Sequence, residues 1–390
     1  MSTLKVGAVR GVSASSDAIT VANDGTCTAN ITNNLSNRNK VINGAMICSQ
    51  RATQVTGSTG AGYKTVDRFR ISHTSLGTFT IDQDTNAPNG FSNSLKLSCT
   101  TADASPAASD QLVIQQRIEA QNLQDLAYGT SAAKKLVLSF YVKSNKTGNA
   151  SVNVLQSDNS SKMVGFQYTI SAANTWERKT ISIPADTSGV INNDNGYGLQ
   201  IEWFLNSGSN FTGGSHQATY TAMDNSNRNV SNLGIGGSTS DNFAITGVQL
   251  EVDHTASGVA TDFEHRSFAD ELNKCQRYFY KTYRQGIAPG TDDVTDICSW
   301  RNQMSAGRTD MTLNIPYSVP MRATPTIVGY SKAGNSNKYL ESGIDYSGGN
   351  EGTFAGTVYA GRKYLNQLSS GNSVDSGNYA HFHFTADAEL

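Results

Sequence analysis

The sequence predicts a mostly β protein that consists of a two-sheet sandwich, one helix and a smaller C-terminal β-domain. Composition is the first observation, because 36 glycines in 390 residues, with abundant Ser, Thr and Asn, suit short strands joined by tight turns. The second is the alternation of apolar with other residues in many short runs, which is typical of strands with one buried face. The third is a single change from strand period to helix period after residue 263.

Residues 1–38 form the first segment, in which short β-prone runs alternate with turn residues. The segment is too short and too polar to bury a core of its own. We therefore predict that it pairs with copies of itself or docks on another protein. A disordered terminus is the alternative.

Residues 39–263 are predicted to form the main β-domain. Leu136, Leu138, Phe140 and Val142 alternate with other residues, as one buried strand face requires. Similar runs separated by Gly, Asn, Asp and Ser turns indicate a two-sheet sandwich. Trp203 falls on such a face, so its neighbour Glu202, the acid that would best suit glycan cleavage, is expected to face solvent.

Residues 264–283 are predicted to form the one helix. Its apolar stripe has members at steps of four, three and four, which fits one helix face. The stripe spans less than two heptads, so it could be shared by three copies around an axis or could pack back onto its own sandwich. Its residues are Phe268, Leu272, Cys275 and Phe279.

Residues 284–390 are predicted to form a second, smaller β-domain that faces outward. Met311, Leu313 and Ile315 alternate before Pro316 ends the strand. The loops between residues 330 and 379 combine Tyr with Gly, Ser and Asn, a composition typical of adaptable binding surfaces. The tyrosines predicted to contact a partner are Tyr330, Tyr339, Tyr346, Tyr359 and Tyr364.

Several runs, in order along the chain, carry a family resemblance. NKVINGAMICSQRATQ, YKTVDRF, APNGFSNSLKLS, KKLVLSFYVKS, GYGLQIEWFLNSGSNF and ITGVQLE…ATDFEHRSFADEL resemble successive parts of the jelly-roll module of bacteriophage tail-fibre and related virion proteins. They cover roughly residues 39–283, and IPYSVPMRATPT with the terminal TADAEL resembles the C-terminal domain of the same proteins. The resemblance implies a jelly roll similar to carbohydrate-binding modules, attachment through residues 1–38 to tail or head proteins, and a homotrimer.

Charge and hydropathy exclude several classes of partner. Charged residues are 16% of the chain and the formal net charge is -2, so no nucleic-acid partner is expected. No run of about 18 apolar residues predicts membrane insertion, and the N-terminus has no long apolar core of a secretory signal. We therefore expect the protein to be made in a cytoplasm, and the resemblance implies a virion that is assembled in the cytoplasm of the host. The five cysteines are widely spaced, which favours free thiols over disulfides.

Motifs for chemistry are weak. There is no GxSxG, P-loop, HExxH or GxGxxG in a suitable setting, so we predict no enzymatic activity and no cofactor. His381 and His383 share one face of a strand and could offer nitrogens to a transition metal in a trimer, or they could be ordinary strand residues. Acidic runs at residues 82–84 and 292–296 lack the ligand spacing of an EF-hand, so calcium stays unassigned.

These observations predict a non-enzymatic virion structural protein, most simply a tail fibre. It would attach through residues 1–38 and contact a host-surface glycan through its outer β-domains, where several weak contacts add through multivalency. A capsid decoration or collar fibre is one alternative. A glycan depolymerase is the other.

Overall fold

The computed structural model of the chain describes residues 6–390 apart from 14, 16, 22, 24, 26, 30–36, 159, 255–256, 305, 348 and 355–357, and of residues 27–29 it describes the backbone. Strands dominate this described part, and all strand pairs in its sheets are antiparallel. The predicted mostly β fold, with a sandwich, one helix and a smaller C-terminal β-unit, is confirmed.

The first three strands form a small sheet of their own in the order β1-β2-β3. Val9 and Val21 in this sheet are exposed. The predicted attachment segment lies partly outside the described residues, and docking through it stays a prediction. The strands are β1 (Ala8–Val9), β2 (Ile19–Val21) and β3 (Cys27–Ala29).

Thirteen strands in the described chain form the sandwich, which has a six-stranded sheet (β13-β10-β16-β8-β7-β4) packed on a seven-stranded one (β15-β12-β11-β14-β9-β6-β5). They are β4 (Gln54–Ser58), β5 (Gly62–Tyr63), β6 (Phe69–Thr74), β7 (Thr78–Asp84), β8 (Ser94–Thr101), β9 (Gln111–Glu119), β10 (Leu136–Ser144), β11 (Gly148–Gln156), β12 (Lys162–Ile170), β13 (Glu177–Ile183), β14 (Tyr197–Ser207), β15 (Thr221–Ala222) and β16 (Asn242–Val252).

The sandwich core consists of the alternate residues that the sequence marks as apolar. Trp203 is fully buried, and its ring meets Phe140 of the opposite sheet edge-to-face, with the ring centroids 5.7 Å apart. The same core includes Leu138, Leu199 and Leu250. Burial of such side chains stabilises the fold by roughly 1.5–3 kcal/mol each, so this core carries most of the stability of the sandwich.

The helix is shorter than the predicted 264–283, and that prediction is wrong at both ends. Helix α1 spans Phe268–Gln276; Ser267 precedes it, and the Ser267 hydroxyl accepts a hydrogen bond from the Asp270 amide at 3.2 Å. Phe279 lies in strand β17 (Phe279–Lys281) because it pairs with Asp387 of the C-terminal sheet. Pairing with a distant strand overrides the local helical period.

The predicted apolar stripe is therefore not one continuous surface. Phe268 is 49% exposed, Leu272 is half-buried, and Cys275 and Phe279 are buried inside the chain. Glu271 of α1 accepts the Asn43 amide, and Arg266 donates to the backbone of Asn39. The helix thus packs on its own sandwich, and a trimer in which three copies share the stripe finds no support in this surface.

The C-terminal unit is built around β25, which pairs with β17 and β18 along one edge and with β20 and β21 along the other. A three-stranded sheet, β19-β24-β23, packs on it through a separate core. The strands are β18 (Cys298–Arg301), β19 (Arg308–Pro316), β20 (Thr326–Tyr330), β21 (Lys338–Ser342), β22 (Asn350–Thr353), β23 (Tyr359–Ala360), β24 (Tyr364–Val374) and β25 (Tyr379–Asp387).

The two β-units meet at a cluster of charged groups. Arg68 of the sandwich is 1% exposed and forms an ion pair with Glu389. The Arg68 guanidinium also lies over the Tyr278 ring, 3.5 Å from its centroid. Arg322 donates to the backbone oxygens of Asn195 and Glu389. These contacts hold the C-terminal sheet against the sandwich. Within the described residues, no helix is long and apolar enough to cross a bilayer.

Candidate functional site

The second face of the β25 sheet, which points away from its core, carries the candidate site. Phe382, Phe384 and Ala386 of β25 fill the core, so the alternate residues point to the other face. Strand register brings matching residues to that face: Thr326 and Phe279 both oppose Asp387, Val328 opposes Thr385, and Tyr330 opposes His383. Directly opposed residues of antiparallel strands share a face.

One half of this face is covered by the loop that follows β17. The ring of Tyr283 stacks on His383, with the centroids 3.9 Å apart. His383 Nε2 lies 3.2 Å from the backbone oxygen of Asp293, and Nδ1 lies 3.1 Å from the Thr282 hydroxyl. Burial lowers the pKa of His383, so its imidazole is neutral at pH 7.

His381 is engaged in the same way, and this bears on the predicted metal alternative. Its Nδ1 lies 2.7 Å from the Ser299 hydroxyl and its Nε2 lies 3.0 Å from the Gly343 oxygen. His381 and His383 are 1% and 0% exposed, and all four ring nitrogens have partners within the chain. Among the described residues, no group of three or more His, Cys, Asp or Glu is placed to hold a metal ion. His381 and His383 therefore fit the second alternative, in which they are ordinary strand residues.

The other half of the face is open and forms the floor of a cleft between the two β-units. The cleft has a volume of about 710 Å³, within the range of roughly 300–1,000 Å³ that small-molecule sites occupy. Its floor consists of strand residues, one wall comes from the sandwich and the chain terminus, and the other comes from residues 322–324 with Pro289. The lining residues are Arg51, Phe279, Pro289, Arg322, Ala323, Thr324, Thr326, Val328, Tyr330, Thr385, Asp387, Ala388 and Glu389.

Charges in the cleft are balanced. Arg51 forms ion pairs with Asp387 at 2.9 Å and with Glu389 at 3.4 Å, and its guanidinium covers the Phe279 ring with its central carbon 3.8 Å from the centroid. Asp387 keeps 44% of its side chain exposed. Both carboxylates pair with Arg51, and the second cation of the lining, Arg322, donates to backbone oxygens. The cleft therefore favours an uncharged ligand over an anion or a cation.

Tyr330 is the aromatic residue of the floor whose ring is partly exposed. The Tyr283 ring meets it edge-to-face at 5.9 Å, which fixes its orientation. The hydroxyls of Thr324 and Thr326 line the same cleft, together with the Asp387 carboxylate. A flat aromatic ring beside hydroxyl and carboxylate groups suits a sugar ring, which has apolar C–H faces and hydroxyl edges.

The five predicted tyrosines occupy different environments. Tyr330 lines the cleft, and Tyr359 and Tyr364 are 56% and 43% exposed on the three-stranded sheet. Tyr346 is half-buried, with its ring 4.4 Å from that of His381. Tyr339 is 0% exposed and belongs to the core, so its prediction as a contact residue is wrong. Gly352 opposes it across the sheet and leaves room for its ring.

Glu202 is also placed differently from its prediction. It does point away from Trp203, but it is 0% exposed because residues 208–229 cover this face of the seven-stranded sheet. Arg228 of that segment pairs with Glu202 at 2.7 Å, and Gln115 and Gln200 donate to it. A fully buried carboxylate whose oxygens are taken by these donors cannot reach a substrate as a general acid.

The remaining predicted features have structural partners. Asp82 accepts a hydrogen bond from Gln54, and Asp84 pairs with Lys96 at 3.0 Å. Asp293 Oδ1 accepts the Thr295 amide. Cys48, Cys99, Cys275 and Cys298 are free thiols, as predicted, and the side chain of Cys27 lies outside the described residues.

The sequence analysis did not predict Asp387 or the threonines of the cleft as site residues. The sequence does carry a signal for Thr385 and Asp387, because the alternation in HFHFTADAEL places them on one strand face with His383. Nothing in the sequence indicates that Thr324, Thr326 and Arg51 lie beside them. Those residues come from a second strand, the preceding turn and the other β-unit.

Comparisons with known proteins give partial likenesses. No family model and no curated protein matches the chain. Solved structures similar in part include the enzymatically active domain of tailspike protein 4 from bacteriophage CBA120, at 15% identity and a TM-score of 0.29, over 55% of this chain and 21% of that one. This chain therefore matches about a fifth of the tailspike chain.

Carbohydrate-binding modules are also among the similar structures. The family 11 module of a Clostridium thermocellum cellulase has 11% identity and a TM-score of 0.27, over 50% of this chain and 96% of the module. The N-terminal cellulose-binding domain of Cellulomonas fimi β-1,4-glucanase C has 9% identity and a TM-score of 0.25, over 53% and 97%. Scores this low assign no function to this chain.

Proposed function

We propose that this chain is a non-enzymatic structural protein of a bacteriophage virion that binds a neutral host-surface glycan in the cleft over β20 and β25. The observation that carries the binding part is the cleft itself. It combines a braced aromatic ring at Tyr330, threonine hydroxyls and the half-exposed Asp387 carboxylate, with its charges paired.

The virion part of the proposal is supported by the sequence. The resemblance to tail-fibre proteins runs in order through most of residues 39–283 and resumes in the C-terminal unit. A tail fibre attached through residues 1–38 is the form we favour, and a capsid decoration or collar fibre built from the same parts is the alternative. Immunogold labelling of phage particles with antibody against the C-terminal unit distinguishes tail from head.

The glycan proposal is tested by binding of the purified full-length chain to an array of neutral oligosaccharides, followed by calorimetric titration with the best of them. Tyr330→Ala is expected to weaken binding by about tenfold or more, since stacking on the ring contributes roughly 1–2 kcal/mol. Tyr359→Ala removes an equally large ring from the outer sheet and serves as the matched control. Equal affinities of the Tyr330→Ala and unmodified proteins would exclude the cleft.

The depolymerase alternative is tested separately. Glu202, the acid that best suited it in the sequence, is buried and paired. We expect no release of reducing ends from host polysaccharide after prolonged incubation with the chain. Release that survives in Glu202→Gln would indicate another catalytic site.

We also propose a homotrimer, in which several weak glycan contacts act together. Light scattering of the purified chain is expected to give a mass near three times 41.6 kDa. A monomer at all concentrations would contradict the trimer and leave the single cleft as the binding unit.

A further inference from the structure

Two buried thiols meet where helix α1 packs on the sandwich. Cys48 lies in the segment of turns that precedes β4, and Cys275 lies in the last turn of α1. Both residues are 1% exposed, and a side-chain hydrogen bond joins their thiols. The two cysteines are therefore in direct contact although they are far apart in the sequence.

Asn43 holds the segment that carries Cys48 against the helix. Its side chain accepts the Cys48 amide at 2.9 Å and donates to the Cys48 oxygen at 2.8 Å. Its own amide donates to Glu271, which precedes Cys275 by one turn of α1. Residues four apart on a helix share a face, so the face of α1 that carries Cys275 packs on the segment that carries Cys48. Arg266 adds a hydrogen bond to the Val41 oxygen at 3.2 Å.

We infer that Cys48 and Cys275 form an oxidative cross-linking site, at which a low-molecular-weight disulfide such as oxidised glutathione converts the two thiols into one disulfide bond. A disulfide needs its sulfur atoms about 2.05 Å apart, with side chains that point towards each other. Thiols that already share a hydrogen bond meet the second condition and need only a short approach for the first.

The reaction is a thiol–disulfide exchange in two steps. A thiolate of the pair attacks one sulfur of the reagent, which gives a mixed disulfide and releases one reduced thiol. The second protein thiol loses its proton, attacks the protein sulfur of the mixed disulfide and expels the other reduced thiol. Two protein sulfurs are oxidised, two reagent sulfurs are reduced, and the two protein thiol protons end on the released thiols.

Access to the pair depends on local opening, because both thiols are buried. Helix α1 has nine residues, and its first residue, Phe268, is 49% exposed. So short a helix can open at a lower free energy than the whole fold. Burial raises the pKa of Cys275, which keeps this thiol protonated and unreactive while the helix is closed. We therefore expect oxidation of the folded chain to be slow.

The bond would enclose the whole sandwich in one covalent loop. All strands from β4 to β16 lie between Cys48 and Cys275 in the sequence, so a disulfide there restricts the unfolded state of the entire unit. A reducing cytoplasm keeps the thiols, whereas oxidising surroundings outside a cell favour the bond. The inference does not depend on glycan binding, and only the time at which the bond forms rests on the proposed virion function.

The test is peptide mapping of the full-length chain. The reduced protein is incubated with a mixture of oxidised and reduced glutathione at about pH 8, the remaining thiols are alkylated, and the chain is cleaved with trypsin without reduction. We expect the peptide of residues 41–51 joined to that of residues 275–277, lighter than their sum by two hydrogen atoms. Peptides that are alkylated throughout, capped by glutathione or joined to another cysteine would overturn the inference.

Thermal unfolding of two variants tests what the bond does. Oxidation should raise the unfolding midpoint of the unmodified protein by about 5–10 °C. Cys275→Ala should abolish that rise. Cys99→Ala, the matched control, should keep it, because Cys99 is also buried but its thiol donates to the backbone oxygens of Thr101 and Gly236.

Oxidised and reduced samples of the same protein are compared, so a lower stability of Cys275→Ala itself does not affect the result. An equal rise in the two variants would refute the site.

Discussion

The sandwich and the C-terminal unit each have a polar sheet face that points away from the core, and the two faces are covered to different extents. In the sandwich, residues 208–229 close over β14 and pair Arg228 with Glu202. In the C-terminal unit, the loop after β17 covers His383 but leaves Thr326 and Asp387 in an open cleft. Polar strand residues thus become either structural or available to a ligand, depending on what lies above them.

The largest expected effect comes from a change in the closed face of the sandwich. Arg228→Ala removes the guanidinium that pairs with the buried Glu202 carboxylate, so we expect the free energy of unfolding to fall by about 3–5 kcal/mol. Urea denaturation followed by tryptophan fluorescence measures it.

A double variant controls for the loss of the Arg228 side chain itself. Glu202→Gln in the Arg228→Ala background removes the unpaired charge and should recover at least half of the lost stability. A loss below about 1 kcal/mol in the single variant would mean that the covering segment moves away and hydrates Glu202.

The second prediction concerns the open face. Asp387→Asn removes the charged acceptor of the cleft and should weaken binding of the neutral glycan by about tenfold, as expected for hydrogen bonds to an ionised group. Stability should change little, because the Asp387 side chain is 44% exposed and its pair with Arg51 is partly solvated. Asp375→Asn, an exposed loop acid, is the control in the same titration. Unchanged affinity in Asp387→Asn would remove the carboxylate from the site.

The third prediction concerns the covered half of the C-terminal face. Burial lowers the pKa values of His381 and His383, so the native state holds both imidazoles neutral while the unfolded chain takes up protons below about pH 6.5. Their contribution to stability is complete above pH 6.5 and is lost as the pH falls. Each residue should therefore add to the loss of unfolding free energy as the pH falls from 7.5 to 5.5.

The His383→Asn variant isolates that contribution. It should show a smaller loss of unfolding free energy over the same pH range than the unmodified chain, whatever its stability at pH 7.5. Identical pH profiles for the two proteins would indicate that His383 is hydrated and protonated in the native state.

The smallest expected effect is at the exposed outer sheet. Tyr359 lies in strand β23 with 56% of its side chain exposed, so Tyr359→Ala should change the unfolding free energy by less than about 0.5 kcal/mol. Glycan affinity should stay within about twofold, because Tyr359 is not among the residues that line the cleft. A larger loss of affinity would move the glycan site from the cleft to this sheet.

Alternation along the chain predicted the strands well, since Phe140, Leu250 and Phe382 are all buried where period two requires. The helix was predicted too long, because Phe279 fits a helical period but gains more from pairing with Asp387 in a sheet. Of the five tyrosines, Tyr330 lines the cleft and Tyr339 is buried, although both lie in strands that pair with β25. Composition predicts a region rich in contact residues. It does not predict which tyrosine ring is covered by another part of the chain.

The sequence by itself determined the fold class, the order of the β-units and the faces of the strands, because these follow from local periodicity and turn residues. The tertiary structure alone decided which faces are closed. Arg228 reaches Glu202, Asp293 reaches His383, and Arg51 reaches Asp387 from segments distant in the chain. Such contacts depend on how whole sheets and loops pack, and no local pattern encodes the partner of a polar side chain.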